Sequence, residues 1–133
     1  MCVEFNLAIW GFDNGKMKMT SPLYQLHRPI EMMKVTGEYI YMVFEQGESC
    51  YLLYNEQDQL CKADYDRSNE HEDSVVSIDV HHEKGLIVTA DSDGLIKVWN
   101  SNKELQREIK FNEDIASVCF MNNAADLLIG HGG

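Results

Sequence analysis

Apolar positions along the chain recur in short alternating runs, not at helical spacing. No i, i+3, i+4, i+7 pattern is sustained, and runs rich in Val, Ile, Tyr and Phe are broken by Gly, Asn and Asp. The predicted elements are therefore strands. VVSIDV (75–80), GLIVTA (85–90), LIKVWN (95–100) and ELQREIKF (104–111) form one set, divided by His81-His82-Glu83-Lys84, by Asp91 to Gly94 and by Ser101 to Lys103. IEMMKV (30–35), YIYMVFEQ (39–46), CYLLYN (50–55) and LCKADY (60–65) form another, with Gly37-Glu38, Gly47-Glu48 and Glu56 to Gln59 as turns. Each set predicts a four-stranded antiparallel sheet closed by tight turns.

A period runs through these strands. NLAIWGFDNGKMKM (6–19), YLLYNEQDQLCKADY (51–65) and LIKVWNSNKELQREI (95–109) each read as a strand ending in an aromatic, a polar turn and a second strand. The aromatics Trp10, Tyr54 and Trp99 are 44 and 45 residues apart. A repeat of about 40–45 residues is the length of a four-stranded propeller blade. The reading is all-β: a partial propeller over 1–133, with a half blade at 1–19, blades at 30–66 and 71–111, and a half blade at 115–133.

That is about three blades' worth of sheet, and propellers close with typically four to eight blades. Three arrangements meet the shortfall. The chain is a fragment of a longer propeller, or it is a truncation completed by another chain, or it is half of a symmetric pair. In the last, third and fourth strands at one end and first and second strands at the other close a six-bladed dimer.

The third period resembles a WD repeat. The match lies in His71 before the first strand, Thr89 in the second, Asp93 in the turn and Trp99 at the end of the third, with eighteen residues from His71 to Thr89 and six from Asp93 to Trp99. The resemblance implies that these four side chains form one hydrogen-bonded network. Its physical basis is that a buried indole N–H needs an acceptor, which a threonine hydroxyl supplies while passing its own proton to histidine. Gly94 lets the backbone take positive φ after Asp93. The other periods depart from the pattern. Tyr54, Glu48, His27 and Phe44 stand in the second where Trp, Asp, an in-register His and Thr are wanted, and the first carries Trp10 with Glu4 at the turn position.

The WD resemblance implies a non-enzymatic scaffold that binds other proteins through loops and blade edges. Residues 103–133, with KELQREIKFNEDIASVCF followed by NNAADLLIGHGG, are similar to divergent repeats of large ciliary and axonemal WD-repeat proteins. This implies a structural subunit in the cytoplasm, cytoskeleton or cilium axoneme. A substrate-presenting adaptor of a ubiquitin ligase or signalling complex is the alternative.

Charge narrows the partners. Twenty-two acidic against eleven basic residues give a formal charge of −11, which works against phosphate backbones and anionic lipid. No nucleic-acid, membrane or small-molecule partner is expected. The acidic stretch ADYDRSNEHED (63–73) reads first as a solvated inter-blade loop. Its second reading is a binding face for a basic partner, through Asp64, Asp66, Glu70, Glu72 and Asp73.

Other chemistry is set aside on spacing. Cys2, Cys50, Cys61 and Cys119 form no C-x-x-C or Cys/His ligand pattern and are expected to be buried, reduced thiols in an intracellular protein. DSDG at 91–94 resembles the start of a calcium loop, but Gly94 comes too early and Asn102 stands where the closing Glu belongs. Adjacent His81 and His82 point to opposite faces of a strand and do not share a metal. No nucleophile, base and orienting group fall into one pattern, so no catalytic residue, cofactor or metal is expected.

Overall fold

The computed structural model describes residues 5–19, 24–26, 28–45, 49–54, 60–63 and 67–132. They contain strands and no helix. In chain order the strands are β1 (Phe5–Leu7), β2 (Trp10–Asp13), β3 (Lys16–Met19), β4 (Tyr24–Leu26), β5 (Ile30–Thr36), β6 (Tyr39–Phe44) and β7 (Ser49–Tyr54). They continue as β8 (Leu60–Lys62), β9 (Val75–His81), β10 (Leu86–Asp91), β11 (Leu95–Asn100), β12 (Leu105–Lys110), β13 (Asp114–Phe120) and β14 (Leu127–Gly132). Two antiparallel four-stranded sheets, β5–β6–β7–β8 and β9–β10–β11–β12, are flanked by the pairs β1–β4, β2–β3 and β13–β14. Each full sheet is a simple meander, as tight turns between consecutive strands dictate.

The sheets are stacked face to face, and strand alternation shows how. On β6, Ile40 and Met42 pack with Leu26 and Leu52, and with Phe5, Leu7 and Tyr24 of the first pair. Tyr41 and Val43, one residue out of phase, pack with Val75, Ile78, Ile87 and Trp99 of the next sheet. On β10 and β11, Val88, Ala90, Ile96 and Val98 then face Ile115 and Val118. Both faces of the two inner sheets are thus covered. That is why β6 and β10 read as nearly continuous apolar runs and not as clean alternation. Each such Val, Ile or Leu contributes about 1.5–3 kcal/mol on burial.

The inner edges are stitched by polar side chains two residues apart on β9. The hydroxyl of Ser77 accepts from Val118 N at 3.0 Å, Asp79 Oδ2 accepts from Phe120 N at 2.8 Å, and His81 Nε2 lies 2.9 Å from the carbonyl of Asn122. Period-two spacing puts all three on one face, where they satisfy backbone groups of the adjoining strand. His81 Nδ1 also accepts from Lys84 N at 3.2 Å.

Ladder register shows which residues are equivalent. β13–β14 repeats β9–β10 displaced by 40 residues. Val75 opposite Asp91 becomes Ile115 opposite His131, Ile78 opposite Thr89 becomes Val118 opposite Ile129, and the bulge recurs at the same place.

In β5–β8 the ladder corrects the aromatic count. Trp99 lies opposite Ile87, and the residue opposite the corresponding Ile40 is Leu52, not Tyr54. By the same register the counterpart of Thr89 is Met42, not Phe44. The cause is hairpin length. The β7–β8 ladder stays paired out to Tyr54 and Leu60, so residue 54 falls beyond the ladder position that Trp99 holds.

Residues 5–26 differ more from expectation. The repeat predicts a strand through Trp10 and a second over 16–19. Instead β1 pairs with β4 and β2 with β3, an interrupted hairpin turning at Asn14 and Gly15, both at positive φ. Two such residues fit the two-residue turn that matches strand twist. Trp10 opens β2 and is 55% exposed, unlike Trp99 at 1%.

Candidate functional site

Trp99 sits near the end of β11 on the face packed against β5–β8, and its indole N–H points back across the sheet to β10. Nε1–H donates to Thr89 Oγ1 at 3.0 Å. Thr89 Oγ1 is 2.6 Å from His71 Nε2, and His71 Nδ1 is 2.7 Å from Asp91 Oδ2. Since the indole can only donate, the threonine hydroxyl gives its proton to Nε2, which leaves the imidazole proton on Nδ1 facing the carboxylate.

The acid in this network is Asp91, which corrects the expectation of Asp93. Thr89 and Asp91 are two apart on β10 and so share a face, whereas Asp93 lies beyond the strand in the turn. The side chains of His71 and Asp91 are each 1% exposed. Asp91 also organises the turn: its Oδ1 accepts from the N–H groups of Asp93 at 2.9 Å and Leu95 at 3.0 Å. Asp93 is 68% exposed and pairs with Lys110 at 2.7 Å. Gly94 takes φ +85°, and a Cβ there would meet the carbonyl oxygen of Phe111 at 2.3 Å.

Electrostatics follow from burial. Desolvation lowers the pKa of His71, outweighing the raising effect of Asp91, so the ring is neutral in the neutral range. Burial alone would raise the Asp91 carboxyl, but hydrogen bonds from Leu95, His71 and Asp93 outweigh it and hold it below the ordinary carboxylate value. Both ring nitrogens are occupied within the network and the neighbouring hydroxyl is fully buried, so the His–Asp pair ties residues 71, 89 and 91 together. It is a brace.

One further charged group was not read from the sequence. Lys103, at φ 63° in the turn after β11, is buried, with its ammonium 3.5 Å from the centre of the Trp99 ring and 5.1 Å from that of Tyr41. Such a cation over aromatic faces is worth about 0.5–2 kcal/mol. Glu70 Oε1 pairs with it at 2.5 Å, and Glu70 Oε2 accepts from Ser49 of the preceding sheet at 2.7 Å. Burial lowers the pKa of Lys103 against the opposing pull of Glu70. The only sequence signal was Lys next to a Ser-Asn turn, which resembles any exposed hairpin.

The expected partner loop divides accordingly. Glu70 is turned inward onto Lys103 and Ser49, while Glu72 and Asp73 are exposed. Asp64 and Asp66 lie outside the described residues. Glu72, Asp73, Asp93 and Glu108 rim a concavity of about 300 Å³ whose lining includes Lys97 and Asp91. Lys97 is buried, and its ammonium donates to the carbonyl of Asn69, tying the loop to β11. No group of three or more metal-ligating side chains occurs among the described residues.

No family model matches the chain, and no curated protein matches it. Its fold does have counterparts among solved structures. A computationally designed protein, Ika8, aligns over 85% of this chain and 33% of its own, with TM-score 0.60 and 14% identity. Sqt1 of Saccharomyces cerevisiae aligns over 80% of this chain and 31% of its own, with TM-score 0.56 and 15% identity. The C-terminal WD40 domain of Sif2 aligns over 96% and 39%, with TM-score 0.56 and 14% identity. The chain spans about a third of the length of these structures. Its meander sheets stacked face to face, braced through Trp99, Thr89, His71 and Asp91, have the fold of part of a WD-repeat β-propeller.

Proposed function

We propose that the chain is a protein-interaction scaffold of the WD-repeat type that does no chemistry. The likeness to WD40 structures supports this class of role. The observation that carries it is the division of labour around His71. Every polar atom of the network is spent inside the sheet, while Glu72, Asp73, Asp93 and Glu108 are left on an open rim. Loops held on a rigid scaffold are where such folds recruit partners.

In the finer reading the protein is an intracellular structural subunit of a ciliary or axonemal complex, docked onto neighbouring proteins. The resemblance of residues 103–133 to ciliary repeats supports that placement. Affinity capture from ciliated and non-ciliated cells, with mass spectrometry, tests it. Axonemal proteins retrieved only from ciliated cells are the expected result. Retrieval of ubiquitin-ligase subunits from both would replace the ciliary placement with the adaptor reading. A Glu72→Lys, Asp73→Lys, Asp93→Lys variant that keeps its fold and every partner would show that the rim is not the binding face.

A further inference from the structure

β1 and β4 are joined by a far longer connection than β11 and β12. Residues 101–104 link the latter pair, whereas residues 8–23 separate β1 from β4. Within that insertion lies β2–β3, a hairpin that pairs with no other strand among the described residues. It is an arm carried on a turn, set off from the β1–β4 pair that packs through Phe5, Leu7 and Tyr24 onto β5–β8.

The arm has two unlike faces. Trp10 lies opposite Met19 and Phe12 opposite Met17, so strand alternation puts all four side chains on one face. They are between 43% and 73% exposed, and this face belongs to none of the three inter-sheet cores. The reverse face carries Gly11, Asp13, Lys16 and Lys18. Its charge is positive in a chain whose overall charge is −11.

This composition fits the boundary of a bilayer. An element with tryptophan and other apolar side chains on one face and lysines on the other sinks its apolar face to the headgroup level, where anionic groups meet the lysines. A protein groove fits less well. The lysines stand behind the apolar face and not around it, so carboxylates rimming a groove would be poorly placed to reach them. Headgroups surround a shallowly sunk hairpin and meet both of its faces.

The chain's overall charge works against anionic lipid, and the reach of the arm answers this. A strand of four residues such as β2 extends about 13 Å. That exceeds the screening length of about 8 Å at physiological ionic strength. The lysines therefore reach the surface while repulsion of the acidic body is largely screened.

We propose that β2–β3 is a membrane-docking arm that seats Trp10, Phe12, Met17 and Met19 in the interface of an anionic bilayer, with Lys16 and Lys18 against its headgroups. The rim of Glu72 and Asp73 takes no part, so this inference and the scaffold reading stand or fall separately.

Co-sedimentation of the full chain with phosphatidylcholine vesicles, with and without phosphatidylserine, tests it, read alongside tryptophan emission and circular dichroism. Vesicles containing phosphatidylserine should carry the chain down and shift its emission to the blue. Trp10→Phe should abolish the shift, since Trp99 is already buried. Phe12→Asp and Met17→Asp should each keep the parent's strand signature and melting temperature and weaken vesicle binding at least about 10-fold. Lys16→Glu combined with Lys18→Glu should weaken binding to the anionic vesicles likewise. A folded chain that stays in solution with phosphatidylserine vesicles would overturn the proposal. So would binding indifferent to phosphatidylserine, or to both Phe12→Asp and Met17→Asp. A protein partner captured by the parent and lost in Phe12→Asp, without vesicle binding, would overturn it in favour of a protein groove.

Discussion

The carboxylate of Asp91 accepts the Nδ1–H of His71 at 2.7 Å while Asp93, two residues on, faces solvent and Lys110. This contrast separates a buried pair from a surface pair within a single turn. Breaking a buried pair leaves an uncompensated polar group and costs about 3–5 kcal/mol, against roughly 0–1 kcal/mol for a surface pair. Asp91→Ala is therefore expected to lower the melting temperature steeply and Asp93→Ala hardly at all. Equal shifts in thermal melts would contradict the placement of the acid.

Trp99→Ala removes the largest fully buried side chain and is expected to cost about 3–5 kcal/mol. Trp99→Phe keeps much of the apolar area but removes the N–H donor to Thr89, at about 1 kcal/mol. Chemical denaturation of both variants checks the order. A larger loss for Trp99→Phe than for Trp99→Ala would mean that packing of the ring is not what the site chiefly gains from tryptophan.

Acid should destabilise the fold in two stages. His71 binds its proton less tightly when folded than at its ordinary value of 6.5, so its contribution is complete above that pH and is lost as pH falls below it. Asp91, also depressed, adds a further loss below its ordinary value of 3.8. Melting temperatures between about pH 8 and about pH 5 are expected to fall in the parent chain and to fall less in His71→Gln. An unchanged slope in the variant would remove His71 from the account.

Lys103 and Glu70 should not behave alike on substitution. Glu70→Ala leaves a buried ammonium without its carboxylate and is expected to cost about 1.5–3 kcal/mol. Lys103→Met keeps the stem against Trp99 and removes the desolvated charge, so it is expected to be near neutral or stabilising. Thermal melts of the two single variants decide. A greater loss for Lys103→Met would mean that the attraction of the cation to the ring outweighs its desolvation.

Strand order and the two full sheets were legible because alternation with period two, broken by Gly, Asn and Asp, is a local property of the chain. Gly94 was legible for a similar reason, since a tight turn after an acid points to positive φ. Trp99, Thr89 and His71 were identified through the repeat. The counts from Trp10 and Tyr54 misaligned the earlier blades because hairpin length varies from blade to blade, and only the ladder fixes equivalence.

By itself the sequence determined the elements of the two full sheets: which of their segments are strands, where they turn, and that a tryptophan must be housed behind a tight turn in one of them. Those outcomes depend on backbone preference and side-chain alternation over a few residues. The tertiary structure decided which acid meets His71 and that Glu70 and Lys103 are engaged across two sheets. These depend on contacts between residues some 20 to 40 positions apart or more, and sheet stacking is what brings such residues together.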